Sequence, residues 1–236
     1  MPLRAVFFDL DDTLFDHTHA TSQSLRRLLD DEPILRGWTF ADLQRKNDEI
    51  LNDLHPHVLA GTLPLDEARE SRFRQLIAAV SPADVAATNA MRLARRHRAE
   101  YERNWRAVPG AVEICMALRA RGLHVGIVTN NLTEEQEMKL ARVGLTPHVD
   151  ALITSADVGA TKPDVRIFQA ALDRFSVTAR ETVMVGDSWS VDVLGAMAAG
   201  IRAVWFNRQG RPLLDPSVSE IRAFEPLDEI QRQILD

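Results

Sequence analysis

Val6-Phe7-Phe8-Asp9-Leu10-Asp11-Asp12-Thr13-Leu14-Phe15 is the stretch on which the reading of this chain turns. Ala5 to Phe8 are apolar, with the β-branched and aromatic weight that an interior parallel strand requires. Three acids then follow within four positions. Carboxylates clustered at the end of a buried strand repel one another and lose hydration, so something must offset them. A hard divalent cation such as Mg²⁺, which prefers carboxylate oxygen, is the expected offset. Ligands of parallel α/β sheets bind beyond the carboxyl ends of the strands. Strand alternation, continued past Phe8, aims Asp9 and Asp11 the same way into that region. An acidic turn after a strand is the competing interpretation, and the remaining sequence has to decide between them.

The other strand signals lie far downstream. From Asp16 to about Trp105 the pattern is helical: Leu25, Leu28 and Leu29 within Thr18–Leu29, then a helix capped by Thr39 with Asp42 three residues on. Leu54–Thr62, holding Pro56 and Gly61, is expected to be a loop. Pro64 opens a helix through Phe73, Leu76 and Ile77, and Ser81-Pro82 starts another that is expected to reach Trp105. After Pro109-Gly110, strands and helices alternate. Helix is expected over Ala111–Arg121, strand over His124–Thr129, and helix over Thr133–Val143 with a capping box of Thr133 and Gln136. Strand Ala151–Thr154, helix Pro163–Phe175, strand Thr182–Gly186, helix Ser188–Ala199 and strand Ala203–Phe206 complete the series; the tail from Arg211 carries no clear element. Alternation of this kind means βαβ units and a parallel sheet. The expected architecture is α/β: a Rossmann-like doubly wound parallel core, residues 1–15 and 106–236, with an inserted α-helical module, residues 16–105.

Composition narrows the class. A chain of 236 residues, 45% hydrophobic, is long enough for one large domain or a core plus a smaller one. Its formal net charge of −6 argues against nucleic acid or an anionic membrane as the main partner. A single cysteine, Cys115, leaves no disulfide framework and suits a reducing compartment. No stretch approaches the roughly 18 apolar residues of a membrane span, and the first strand starts too early for a cleavable signal. The expectation is a soluble, cytoplasmic protein.

The returning half places polar residues at successive strand ends. His124–Val128 runs into Thr129-Asn130-Asn131, a hydroxyl, an amide and backbone N–H groups ahead of a helix, suited to an anion. Lys162, in Thr161-Lys162-Pro163-Asp164, is one of three lysines in an arginine-rich chain. Thr182–Gly186 runs into Asp187-Ser188, with Asp192 five residues after the first acid. Each signal alone is weak, but at successive strand ends of one sheet they converge on one crevice.

These residues resemble the motifs of the haloacid dehalogenase-like hydrolase superfamily, the aspartate-nucleophile phosphatases. Asp9, Asp11 and Thr13 match its first motif, Thr129 and Asn130 the second, Lys162 the third, and Gly186-Asp187-Ser188 with Asp192 the fourth. The resemblance covers residues 5 to about 207. The insertion after the first motif is similar to the helical cap of the first subclass, and its Leu54–Arg72 segment to nucleotidase and acylneuraminate-phosphatase relatives. Asn131 stands where the second motif commonly has glycine, and asparagine tolerates a left-handed backbone there.

The resemblance implies a Mg²⁺-dependent phosphatase acting on a small-molecule phosphate ester through an aspartyl-phosphate. Asp9 is then the nucleophile and Asp11 the proton carrier. Asp9, the Asp11 carbonyl and Asp187 would hold the metal, with Asp192 further out. Thr129, Asn130 and Lys162 would meet the phosphoryl oxygens, while Thr13 and Ser188 orient carboxylates. Asp12 and Asp16 receive no role. His17 and His57 are expected to contribute to substrate specificity from the cap; the pairs His17/His19 and His55/His57 lack the further ligands a second metal site needs. The run Arg92–Arg98 reads as a solvated helix face matched by Glu100 and Glu102. Three alternatives use the same fold. A 2-haloacid dehalogenase needs neither Asp11 nor Asp187, a phosphoglucomutase-type transferase reuses every motif, and a non-catalytic binding module would have lost one of them.

Overall fold

The computed structural model describes residues 2–84 and 89–235. The chain divides into two compact units, one of residues 1–16 and 106–236, the other of residues 17–105.

The first unit is a six-stranded sheet: β1 (Ala5–Phe8), β2 (His124–Thr129), β3 (Ala151–Thr154), β4 (Thr182–Gly186), β5 (Arg202–Phe206) and β6 (Ser219–Ile221). The strands lie in the order β3-β2-β1-β4-β5-β6, and every pairing is parallel. This is the Rossmann-like doubly wound arrangement, whose order reverses between β1 and β4. β1 pairs on both edges, Phe8 lying opposite Ile127 and Val185, which explains why all four of its residues are buried. Alternate side chains feed two faces. Ala5 and Phe7 join Val128, Phe168, Met184 and Trp205 in one core. Phe8 meets Phe224 edge-on, and Phe224 stacks on Phe206, 4.4 Å between ring centroids.

The helices of the insertion are α1 (His17–Asp31), α2 (Phe40–Leu59), α3 (Leu65–Val80) and α4 (Ala90–Arg103). Thr39 caps α2 as expected, accepting from the Asp42 N–H at 3.1 Å. Leu54–Thr62 is not a loop. Helix α2 continues through Pro56 to Leu59 because Leu54 and Val58 are buried one turn apart, and packing overrides the proline. Gly61, φ +69°, follows just beyond its end. His57 is therefore an exposed residue of the last helical turn. The continuous helix expected from Ser81 is also corrected. Pro82–Asp84 form a 3₁₀ turn, residues 85–88 lie outside the described part, and Asn89 caps α4 afresh by accepting from the Arg92 N–H.

The basic run on α4 is only partly a solvated face. Arg92 and Arg96 reach the buried Glu32 beyond α1, and Arg96 also meets Asp31. Their guanidiniums hold the Glu32 carboxyl below its ordinary range. His97 is buried, with Nε2 at 2.9 Å from Ser24 Oγ and Nδ1 at 3.2 Å from a buried Arg72 nitrogen. Burial, with the neighbouring Arg72 cation, keeps this imidazole well below its usual range, and therefore neutral. His17 is engaged within the same unit, Nδ1 at 2.8 Å from the Tyr101 hydroxyl and Nε2 at 3.3 Å from Thr21 Oγ1.

The sheet unit's helices are α5 (Ala111–Ala120), α6 (Thr133–Arg142), α7 (Ser155–Val158), α8 (Val165–Phe175), α9 (Leu194–Ala198) and α10 (Leu227–Leu235). Helix α8 starts at an Asp164 cap, two residues later than expected. The segment after Ser188 is a π turn, Trp189–Val193, before α9. The tail supplies β6 and α10, neither of which its proline-rich sequence announces. Cys115 is buried in α5, and burial pushes its thiol up to about 12, so it is inert core. Among the described residues, no helix is long and apolar enough to cross a membrane.

Candidate active site

Strand ends build the site. Asp9 follows β1 and extends its ladder by one bond, its N–H donating to the Val185 carbonyl at 2.9 Å. The chain then turns sharply, with the N–H groups of Thr13, Leu14 and Phe15 all directed at the Leu10 carbonyl. Asp12 carries the left-handed backbone of this turn, φ +62°, a conformation short polar side chains tolerate best. The turn returns Thr13 beneath the acids. Its hydroxyl donates to Asp9 Oδ2 at 3.3 Å and accepts from the Asp187 N–H at 3.1 Å, so one side chain ties the ends of β1 and β4 together.

Lys162 is the centre of charge. Its ammonium lies 2.6 Å from Asp9 Oδ1, 2.6 Å from Asp192 Oδ1 and 2.7 Å from the Val128 carbonyl, and its side chain is 1% exposed. All three ammonium hydrogens are engaged, so a phosphoryl oxygen would have to take over one of the carboxylate bonds. Asn130 places the lysine: its side-chain amide donates to the Lys162 carbonyl at 2.9 Å and accepts from the Lys162 N–H at 2.7 Å. The amide expected at an anion thus grips the backbone that carries the cation.

Asp9, Asp187 and Asp192 present carboxylate oxygens within 4.8 Å of one another. The Asp11 side chain is not in this set. Asp192 is in it, 1% exposed, with its second oxygen held by the Ser188 N–H at 3.0 Å. Lys162 pairs with two of the three acids, Asp9 and Asp192, which leaves excess negative charge in a largely buried site. Burial, reinforced by the other carboxylates, pushes Asp9 up to about 7 and Asp187 up to about 8. Burial pulls on Lys162 in the opposite sense, but Asp192 and Asp9 hold it above its ordinary value. A hard divalent cation would relieve this arrangement, and the all-oxygen donor set suits one.

Gly186 makes room for the cluster. A Cβ at this position would lie 2.4 Å from the Asp192 Cβ. Gly186→Ala should therefore push Asp192 off Lys162 and lower Tm by roughly 5 °C, the effect of about 1–2 kcal/mol of overpacking in a domain of this size. Thermal melts with and without Mg²⁺ check this, and the shift gained on adding metal should shrink in the variant.

The strongest departures from expectation are on α6. Thr133 and Gln136 form no capping box. Thr133 Oγ1 meets Thr154 Oγ1 at 2.7 Å, and the Gln136 amide nitrogen donates to Thr129 Oγ1 at 2.7 Å and to Asp11 Oδ2 at 3.1 Å. Because Thr129 Oγ1 accepts from Gln136, its own hydrogen is directed elsewhere. Lys139, 3% exposed, places its ammonium 2.6 and 2.8 Å from the two Asp11 oxygens. Neither residue was expected at the site, although Lys139 is another of the three lysines. Asn131 needs no left-handed backbone: among the described non-glycine residues only Asp12 and Ser176 have positive φ, and Asn131 Oδ1 accepts from the Leu132 N–H at 2.8 Å. Asp16, left without a role by the sequence, is buried and paired with Arg106 at 2.7 Å and Arg208 at 3.2 Å. Despite burial, these guanidiniums keep its carboxyl below the usual range.

A family model of haloacid dehalogenase-like hydrolases matches residues 3–200. The chain belongs to the haloacid dehalogenase-like hydrolase family. It is 39% identical over 151 residues to the phosphoserine phosphatase of Thermus thermophilus, a match covering 64% of this chain and 59% of that relative, under two thirds of its length. To the pyrimidine 5′-nucleotidase YjjG of Escherichia coli strain K12 it is 33% identical over 208 residues, 87% of each chain. Among solved structures, the HAD-hydrolase YfnB of Bacillus subtilis, crystallised bound to magnesium, superposes with a TM-score of 0.74 at 26% identity, covering 98% of this chain and 99% of that one. Within this haloacid dehalogenase-like hydrolase, Trp205 is a further support. Its indole N–H donates to the Asp187 carbonyl at 2.9 Å, and its ring packs edge-on against Trp189.

Proposed function

We propose that the chain is a Mg²⁺-dependent phosphatase that hydrolyses a small-molecule phosphomonoester through an aspartyl-phosphate on Asp9. The observation that carries this reading is the convergence of Asp9, Asp187 and Asp192, the first and last of them buried and paired with Lys162, a donor set matched to a divalent cation. Asp9, Asp187 and the Asp11 carbonyl would hold the ion, with Asp192 and Lys162 behind them. Bound there, the ion would neutralise phosphoryl oxygens and the nucleophile's charge together. The phosphatase and nucleotidase relatives support phosphorus, rather than carbon, as the atom attacked.

The chain's own residues divide the work. The Asp9 carboxylate, oriented by Thr13 and Lys162, attacks phosphorus, and the ester oxygen leaves with a proton from Asp11. Water then attacks the same phosphorus, returns a proton to Asp11 and releases Asp9. The Thr129 hydroxyl, already accepting from Gln136, has its hydrogen available for a phosphoryl oxygen. Lys162 balances the charge that moves on and off Asp9.

A phosphate-release screen over phosphoserine, nucleoside monophosphates, sugar phosphates, phosphoglycolate and flavin mononucleotide tests the reading and names the substrate class. Turnover should vanish in chelator and return with Mg²⁺, whereas Ca²⁺, larger and looser in coordination, should restore it poorly. Full activity in chelator would overturn the metal assignment and favour the dehalogenase alternative.

A further inference from the structure

We infer that Lys139, with Gln136 beside it, is the positioning residue for the Asp11 carboxyl and sets how well the enzyme expels poor leaving groups. The inference rests on the reading of Asp11 as proton carrier in a phosphatase. Three observations on one helix face carry it. The Lys139 ammonium is within 2.8 Å of both Asp11 oxygens and 5.0 Å from the centre of the buried Phe15 ring. Its side chain is 3% exposed, against 27% for Asp11. Gln136, three residues earlier and hence on the same face, joins Asp11 Oδ2 to Thr129 Oγ1.

An exposed lysine–carboxylate pair fixes little, because two long side chains must be ordered to make it. Here the lysine stem is already immobilised by burial, so the bidentate contact fixes the Asp11 rotamer instead. When Asp11 is ionised it accepts only, so in that state the Gln136 nitrogen faces it. That amide leaves its oxygen buried without a partner. One side chain therefore holds the proton carrier in register with the hydroxyl assigned to the phosphoryl group, and neither contact requires the substrate to be present.

The chemistry says when this placement matters. As the Asp9 oxygen–phosphorus bond forms, the bond from phosphorus to the ester oxygen breaks, and that oxygen takes the Asp11 proton. An alkyl oxygen leaves badly without the proton, whereas p-nitrophenolate leaves well without it. A displaced Asp11 should therefore be felt on alkyl esters and scarcely on p-nitrophenyl phosphate.

The test compares kcat/KM, which reports steps through the first irreversible one, for p-nitrophenyl phosphate and β-glycerophosphate. Lys139→Met keeps the buried stem and removes the charge. It should lose about 10²-fold on β-glycerophosphate, in line with the contribution of a well-placed general acid, and less than about threefold on p-nitrophenyl phosphate. Lys139→Arg should recover most of the loss. Should the methionine variant misfold, Lys139→Gln carries the same comparison. Equal losses on both esters in a folded variant, or no loss on either, would overturn the inference. Asp11→Asn separates the two levels. If it shows the leaving-group dependence and Lys139→Met does not, only the positioning role fails. If Asp11→Asn shows none, the proton-carrier assignment fails and the inference with it.

Discussion

Asp9→Asn should lower kcat by about 10⁴-fold or more while the protein stays folded, the scale of loss seen when a covalent nucleophile is removed. The side chain keeps its size and its place against Thr13 and Lys162, so packing is unchanged. The asparagine oxygen remains an acceptor for Lys162, but the amide cannot form the acyl phosphate. Stability should move the other way. Asp9 is one of three mutually repelling carboxylates, and burial pushes it up to about 7, so at pH 8 without metal its ionised form opposes folding. Steady-state kinetics with p-nitrophenyl phosphate and a melt in chelator at pH 8 check both halves. A variant within tenfold of the unmodified enzyme would be inconsistent with a covalent role.

Lys162→Met should damage activity and folding together. It removes the ammonium that pairs with both Asp9 and Asp192, a side chain 1% exposed, and leaves those two carboxylates without their shared counter-charge. Breaking a buried pair in this way costs roughly 3–5 kcal/mol, and loss of a charge-balancing group of this kind costs about 10²–10³-fold in kcat. The pH dependence has a definite sign. Asp9 and Asp187 have folded values raised well above the unfolded carboxylate range, so the native state binds more protons than the unfolded one between about pH 4 and 8. Their contribution to stability therefore falls as pH rises through that window. Lys162, raised above its ordinary value, stays charged throughout and offsets the loss. Without it the decline steepens. In chelator, the Tm gap between Lys162→Met and the unmodified protein should widen from pH 5 to pH 8. A constant gap would mean that the lysine acts through packing alone.

Legibility in the sequence followed the burial of the backbone. Strands such as Ala5–Phe8 and Thr182–Gly186 are buried on both faces, so their apolar runs are uninterrupted and the polar residue that ends each one stands out. That is why Asp9, Thr129 and Asp187 could be found at strand ends and why the sheet was legible. Helix α6 offers no such contrast. Gln136 and Lys139 sit among Glu134, Glu135 and Glu137, and only tertiary contact separates the site-facing polar residues from the solvated ones. Gln136 also satisfied a local capping pattern, which competed with its distant partners and was the wrong choice. Pro56 misled for a related reason, since a local helix breaker is outweighed by the buried Leu54 and Val58 around it. Asp16 received no role because its counter-charges, Arg106 and Arg208, are 90 and 192 residues away. The same applies to β6, a three-residue edge strand defined by its pairing with β5 rather than by its composition.

The central claim is that Asp9 carries the phosphoryl group, and trapping it is the most direct test. The enzyme is mixed with Mg²⁺ and p-nitrophenyl phosphate, quenched in acid within a single turnover, and reduced with borohydride, which converts an acyl phosphate at aspartate into homoserine. Peptide mass mapping should then find homoserine at position 9, dependent on both substrate and Mg²⁺, and aspartate intact at positions 11, 187 and 192. Unmodified Asp9 during a productive turnover, or homoserine at another of these positions, would contradict the account.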